Sequence, residues 1–251
     1  MAYKPYNKRK GLINLNQTRQ IIDYFKLKAK NSKSEFSNKI WIQKALLVYV
    51  LYRTGRRVSE VIGRKRPKRM HGLRPIDIDF ENNMITWSIL KKNPIRKKDK
   101  QGKARSKDVI MKDIYNKPLF EETIPCDPAT IKTLKYWVDK WNIHPLDRIF
   151  KFDQCYMNRL LKKASIELKI KLSGKKIARD KDGNLYETIY LPSCHSFRHF
   201  FASNFLEENE NNSLALPSLQ EIMVHSDLSI TKTYIHIKDD LKREMINKAN
   251  K

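Results

Sequence analysis

The stretch "HSFRHFF", residues 195–201, sets two imidazoles and a guanidinium at i, i+3 and i+4. On a helix that spacing puts His195, Arg198 and His199 on one face, near the helix start. A helix N-terminus carrying such groups suits a phosphate. The plain alternative is a surface face that forms salt bridges. HxxxH is also a zinc spacing, but Ser196 stands where a HExxH site has its Glu, and the sequence offers no obvious third ligand. A second cluster, "TGRRVSE" (54–60), ends an apolar run at Gly55 and places Arg56 and Arg57 a turn before Glu60. That carboxylate is placed to orient either guanidinium toward a phosphate, or to form a surface ion pair of little energetic weight. A third, "SILKKNPIRKKDK" (88–100), ends a strand at Lys91 and Lys92 and runs into a loop with Arg96, Lys97 and Lys98. In the last, "HSDLSITKTYIHI" (225–237), Tyr234 follows His225 by nine residues. Taken alone, Tyr234 is as much an anchor for the C-terminus as a nucleophile.

The frame around these groups is large enough for a real core. The chain has 251 residues, 40% hydrophobic, with 52 Lys and Arg against 27 Asp and Glu, a formal charge of +25. Such an excess repels itself and is best relieved by a polyanion, with nucleic acid first and an anionic membrane surface second. The apolar run "ALLVYVLY" (45–52) is too short to span a bilayer. The N-terminus has no apolar signal block. Cys126, Cys155 and Cys194 form neither a disulfide framework nor a CxxC pair. A soluble, reduced, cytoplasmic protein is expected.

Periodicity predicts a basic arm over 1–12 and a helix capped by Asn16 running to about Lys30. A linker is expected over 31–38, with Asn38 capping an apolar helix from about Lys39 to Tyr52, and a helix resumes after Gly55. "IDIDF" (76–80) and "MITWSIL" (84–90) read as an antiparallel hairpin. The third strand is either "DVIM" (108–111) or "ETIPC" (122–126). Asp127-Pro128 starts a helix, another begins near Asp153, and 175–191 reads as a second hairpin about Asp182-Gly183. From Ser193 on, helices alternate with loops, including a polar insert over 209–217. The fold class is α+β: mostly helical, with a small three-stranded antiparallel sheet, in one domain.

Each cluster is weak by itself, but their order and spacing resemble the tyrosine recombinases, the family of phage integrases and chromosome-dimer resolvases. That family's first box reads roughly T-G-x-R-[IV]-S-E, matched by Thr54 to Glu60, and selects Arg57. Its second, H-x-x-R-H, falls on His195, Arg198 and His199. Its third, roughly L-G-H-x-x-x-x-T-x-x-x-Y, falls on "MVHSDLSITKTY" with the His-to-Tyr interval intact. There are departures. Val224 replaces the Gly before the third-box His, Ile230 falls on its Thr with Thr231 one place late, and 205–219 is longer than the compact pattern. The family also carries an N-terminal helical domain that closes around DNA. Here the stretch before Arg57 reads as the first helices of the catalytic domain, so either a catalytic fragment or a minimal enzyme is expected.

The resemblance implies a catalytic domain over 13–237 and a C-terminal helix, 238–251, that docks on a neighbouring subunit. It implies a site-specific recombinase or integrase in which a tyrosine attacks a DNA phosphodiester, giving a 3′-phosphotyrosyl link and a free 5′-hydroxyl; the alternatives are a type IB topoisomerase-like DNA relaxer, which shares this residue set, and a non-catalytic basic DNA-binding module. Arg57 and Arg198 would donate to the non-bridging oxygens, and His195 and His225 would donate or move protons. Tyr234 would be the nucleophile, and Lys91, with Lys92 next to it, the acid for the leaving oxygen. Glu60 and His199 would support them, and Lys92, Arg96, Lys97 and Lys98 would hold DNA. No cofactor and no metal are expected. The implied partners are double-stranded DNA and further copies of the chain, as a homo-tetramer. Affinity carried by phosphate contacts would fall steeply with salt.

Overall fold

A computed structural model describes residues 13–65, 70–89, 106, 120–179 and 185–223. Two long helices open the chain. Helix α1 (Leu15–Lys30) starts at Asn14, not Asn16: the Asn14 side chain accepts from the Gln17 N–H at 2.8 Å, and the Gln17 side chain accepts from the Asn14 N–H. Its buried residues, Ile21, Ile22, Phe25 and Ala29, recur at the helical period and pack on helix α2 (Glu35–Thr54). The predicted linker over 31–38 is only half right. Ser34 accepts from the Ser37 N–H and caps α2, so 35–38 is already helical. A serine followed by an acidic first-turn residue was the better start signal. From Ala45 to Leu51 helix α2 is almost wholly buried, because α1 covers one side and later helices the other.

A short helix, α3 (Val58–Ile62), follows the Gly55 corner. Pro75–Asp77 then forms a 3-10 turn, which leaves strand β1 with Ile78–Asp79 alone and shortens the strand expected over 76–80. Strand β2 (Met84–Ile89) turns Ile85, Trp87 and Ile89 inward at the two-residue period. It pairs antiparallel with β1 on one side and with β3 (Phe120–Pro125) on the other, Ile85 opposite Ile124. The third strand is therefore the "ETIPC" segment; residues 108–111 lie outside the described residues. The three-stranded antiparallel sheet of the expected fold class is present.

Asp127 caps α4 (Pro128–Lys140), accepting from the Thr130 N–H at 3.1 Å. Asp153 caps α5 (Gln154–Glu167) in the same way. Strands β4 (Leu172–Arg179) and β5 (Leu185–Tyr190) form the second hairpin. Helices α6 (Cys194–Glu208) and α7 (Ala215–Met223) end the described chain. Pro217 was expected in the polar insert but lies in the first turn of α7, where its missing N–H costs no helical bond. One core joins α1 to α6, while Ala202, Leu219 and Met223 form a small second cluster that fastens α7 to α6. No described helix is long and apolar enough to cross a membrane.

Candidate functional site

Gly55 is the corner on which the site turns. It ends α2 at φ +62°, a left-handed conformation that favours glycine. A Cβ there would also meet the Phe201 ring of α6 at 2.3 Å. Glycine thus lets α2 reverse and lets α6 approach its end. The chain leaves Gly55 extended through Arg57, which stands at the start of α3.

Glu60 fixes Arg57 twice. One carboxylate oxygen accepts from the Arg57 backbone N–H at 3.0 Å, and the other from Nη1 at 2.9 Å. The Glu60 side chain is 1% exposed and that of Arg57 26%. A buried carboxylate therefore holds a guanidinium whose outer side still meets solvent. Buried Val58, Val61 and Ile62 seat α3 in the core and hold Glu60 in place. The question of which arginine Glu60 pairs with is answered for Arg57.

Arg56 turns the other way. It is 1% exposed, with its guanidinium carbon 5.4 Å from the centre of the Trp87 ring, and its Nη2 donates to the Ile222 carbonyl of α7. Burial pushes its pKa down to about 10, partly offset by Glu60, so it stays charged at neutral pH.

Helix α6 supplies the second cluster. Its first N–H, that of Cys194, donates to Asn158 Oδ1 of α5 at 2.9 Å, which fixes the helix start. His195 is exposed on the first turn, and its ring meets that of His199 edge-on at 4.5 Å. Burial and then the Arg198 charge hold His199 below the ordinary imidazole value, favouring its neutral form. Arg198 is 2% exposed, which overturns the surface-face alternative. Its Nη1 donates to the Gly55 carbonyl at 2.6 Å and its Nη2 to the Met223 carbonyl at 2.8 Å.

Arg57, Glu60, Arg198, His195 and His199 are thus drawn around one corner, joined through the Gly55 backbone. Lys91, Lys92, Arg96, Lys97, Lys98, His225 and Tyr234 lie outside the described residues. Among the described residues no group of three or more His, Cys, Asp or Glu is arranged to hold a metal ion. The inward turn of Arg56 has no signal in the sequence: its neighbour Trp87 stands on β2, a strand that only the fold packs behind α3. Chemically, the corner offers guanidinium and imidazole donors and a buried carboxylate that orients one of them, a set suited to an oxyanion such as a phosphate.

The model of the phage integrase family matches residues 13–240. Among curated proteins, the tyrosine recombinase XerD of Staphylococcus aureus is 31% identical over 125 residues, covering 43% of this chain and 40% of the relative. The XerD of Staphylococcus haemolyticus is 31% identical over 122 residues with the same coverage. The matched part of the chain thus spans well under half the length of these relatives. Among solved structures, the XerA recombinase superposes with a TM-score of 0.53 at 17% identity, covering 100% of this chain and 67% of that one. The XerH recombinase bound to its difH substrate gives 0.52 at 17% identity, with 95% and 56% covered. At that identity the likeness is one of fold.

Proposed function

This chain belongs to the phage integrase family, and from that premise we propose that it is a site-specific DNA recombinase or integrase that breaks and rejoins strands through Tyr234. The observation that carries the proposal is the corner at Gly55. There Arg198 of the second box donates to the Gly55 carbonyl, two residues before Arg57 of the first box, in a chain that keeps the His225-to-Tyr234 interval.

In this reading the Tyr234 oxygen attacks the DNA phosphorus and the bond to the 5′-oxygen breaks. The phenolic proton passes to a neighbouring base, and Lys91 protonates the leaving oxygen to a 5′-hydroxyl. Arg57 and Arg198 take the charge that grows on the non-bridging oxygens, and His195 and His225 donate to the same group. Glu60 and His199 hold the donors in place. The phosphotyrosyl bond keeps the energy of the broken one, so rejoining needs no ATP, and the cationic donors do the work a metal would do. Lys92, Arg96, Lys97 and Lys98 hold the backbone of the duplex, and the arm over 1–12 adds to that grip. Residues 13–237 form the catalytic unit and 238–251 dock on the next subunit of a homo-tetramer. The XerH structure, described as bound to its difH substrate, supports DNA as the partner.

A nicked suicide duplex tests this. The protein is expected to form a denaturation-resistant adduct that Tyr234→Phe abolishes and EDTA leaves intact. No adduct on any duplex bearing a site would refute the reading. Relaxation of any supercoiled plasmid, without sequence preference, would replace it with a topoisomerase. An adduct lost on adding EDTA would refute metal independence.

A further inference from the structure

The end of the described part of α7 is held by side chains from elsewhere in the chain. Two consecutive carbonyls there accept from guanidiniums: that of Ile222 from Arg56 and that of Met223 from Arg198. Helix carbonyls carry partial negative charge toward the C-terminal end, which suits a cationic donor. Arg198 has a second task at the corner. Arg56 is 1% exposed, and its guanidinium lies against Trp87 and donates to the Ile222 carbonyl, whereas that of Arg57 still meets solvent. Stability alone gives no reason for it, since replacing a buried charge by an apolar side chain of like volume is often neutral or stabilising. Its Nη1 has no partner among the described residues, a further cost of keeping a guanidinium there. What the guanidinium does accomplish is a tie between three elements. It leaves the α2–α3 corner, lies against Trp87 of β2 and ends on α7. The chain then runs from Met223 to His225 in two residues.

We propose that Arg56 is a positioning residue for strand cleavage, holding the end of α7 against the Gly55 corner so that the third-box segment starts from a fixed point. This rests on the recombinase reading, and its test separates the two. Arg56→Met keeps volume and removes the donor; Arg56→Lys keeps charge and one donor. The full-length variants are compared by amide hydrogen exchange, by duplex affinity and by the single-turnover rate of adduct formation on the suicide duplex. For Arg56→Met, exchange in the last turn of α7 should rise at least about tenfold while α2 is unchanged. Affinity should stay within about twofold, and the adduct rate should fall about ten- to a hundredfold, as for loss of one charged hydrogen bond. Arg56→Lys should recover part of both protection and rate.

Wild-type exchange in α7 of Arg56→Met would overturn the proposal. So would a rate loss matched by an equal affinity loss, which would make Arg56 a phosphate ligand. Exchange raised throughout α2 and α6 would reduce it to a fold residue and also overturn the proposal. If Arg56→Met does not fold, Arg56→Lys decides alone: slower adduct formation with local α7 fraying supports the role, and wild-type behaviour refutes it. If wild-type protein forms no adduct, the recombinase reading fails, and the exchange arm still decides whether Arg56 holds α7.

Discussion

Arg198 donates through Nη1 to the carbonyl of Gly55 at 2.6 Å, a bond between residues 143 apart in sequence. It ties the helix that carries both imidazoles to the corner that carries Arg57. The second guanidinium nitrogen reaches Met223 at 2.8 Å, so one buried side chain sets the spacing of α6, the α2–α3 corner and α7. Such a group is costly to bury and is retained where its charge and direction matter.

Gly55 should tolerate no side chain. Gly55→Ala combines a left-handed φ of +62° with a methyl 2.3 Å from Phe201 Cδ1. The backbone strain and the forced movement of the ring should together cost about 2 kcal/mol or more. A lower urea midpoint with an unchanged m-value would show this. Because α6 must retreat from the corner, Arg198 should lose its bond to the Gly55 carbonyl, and adduct formation per folded molecule should fall as well. A variant as stable as wild type would mean that Phe201 yields without strain.

Glu60 should matter to rate more than to affinity. Its side chain is 1% exposed, and each of its oxygens accepts from Arg57. Glu60→Gln keeps two polar atoms but loses the ionic bond, and should slow adduct formation about tenfold at nearly constant duplex affinity. Glu60→Ala also leaves the Arg57 N–H without its acceptor, and should add about 1–3 kcal/mol of lost stability. Equal losses in rate and affinity for Glu60→Gln would mean that the pair only supplies charge to the duplex.

The sequence was most informative where one physical signal acts locally. The inward Ile85, Trp87 and Ile89 follow from strand period, and the Asp127-Pro128 and Asp153 starts follow from cap chemistry. The His195, Arg198, His199 face follows from helical geometry. It failed where two signals compete. Asn16 and Asn38 are sound caps, but Asn14 and Ser34 act two and four residues earlier, since each finds a backbone N–H at its third residue. Pro75 converts the start of an apparent strand into a 3-10 turn. The different fates of Arg56 and Arg57 depend on what packs behind α3. Trp87 and Ile222 come from distant parts of the chain, and no local pattern announces them.

Lys44 should make stability depend on alkaline pH. It sits in the middle of α2, 2% exposed, with Nζ 3.4 Å from the centre of the Trp41 ring and 5.4 Å from that of Tyr156. Burial pushes its pKa from 10.5 down to about 8. Between those values the unfolded chain keeps a proton that the folded chain has lost, so stability should rise as pH goes from about 8 to 10.5. Lys44→Met removes that proton difference. Thermal melts across the window should show the gap between variant and wild type closing as pH rises, with the variant equal or better at pH 7. A constant gap would show that the ring faces, which attract the ammonium, fully offset its loss of water.

His199 should act in the opposite pH range. Burial and the Arg198 charge lower its pKa in the folded state, whereas in the unfolded chain it titrates near 6.5. Above that value both states are neutral and its contribution is fully present. As pH falls below 6.5 the unfolded chain takes up a proton first, so stability is lost progressively until the folded state also protonates. His199→Gln cannot titrate and should lose less stability than wild type between pH 7.5 and 5.5, measured by urea unfolding at each pH. Adduct formation should distinguish support from direct catalysis. If His199 acts by supporting the His195 ring it meets edge-on, the variant should keep the pH–rate profile of wild type at a lower rate. If an acidic limb disappears with the substitution, His199 itself moves a proton in the reaction.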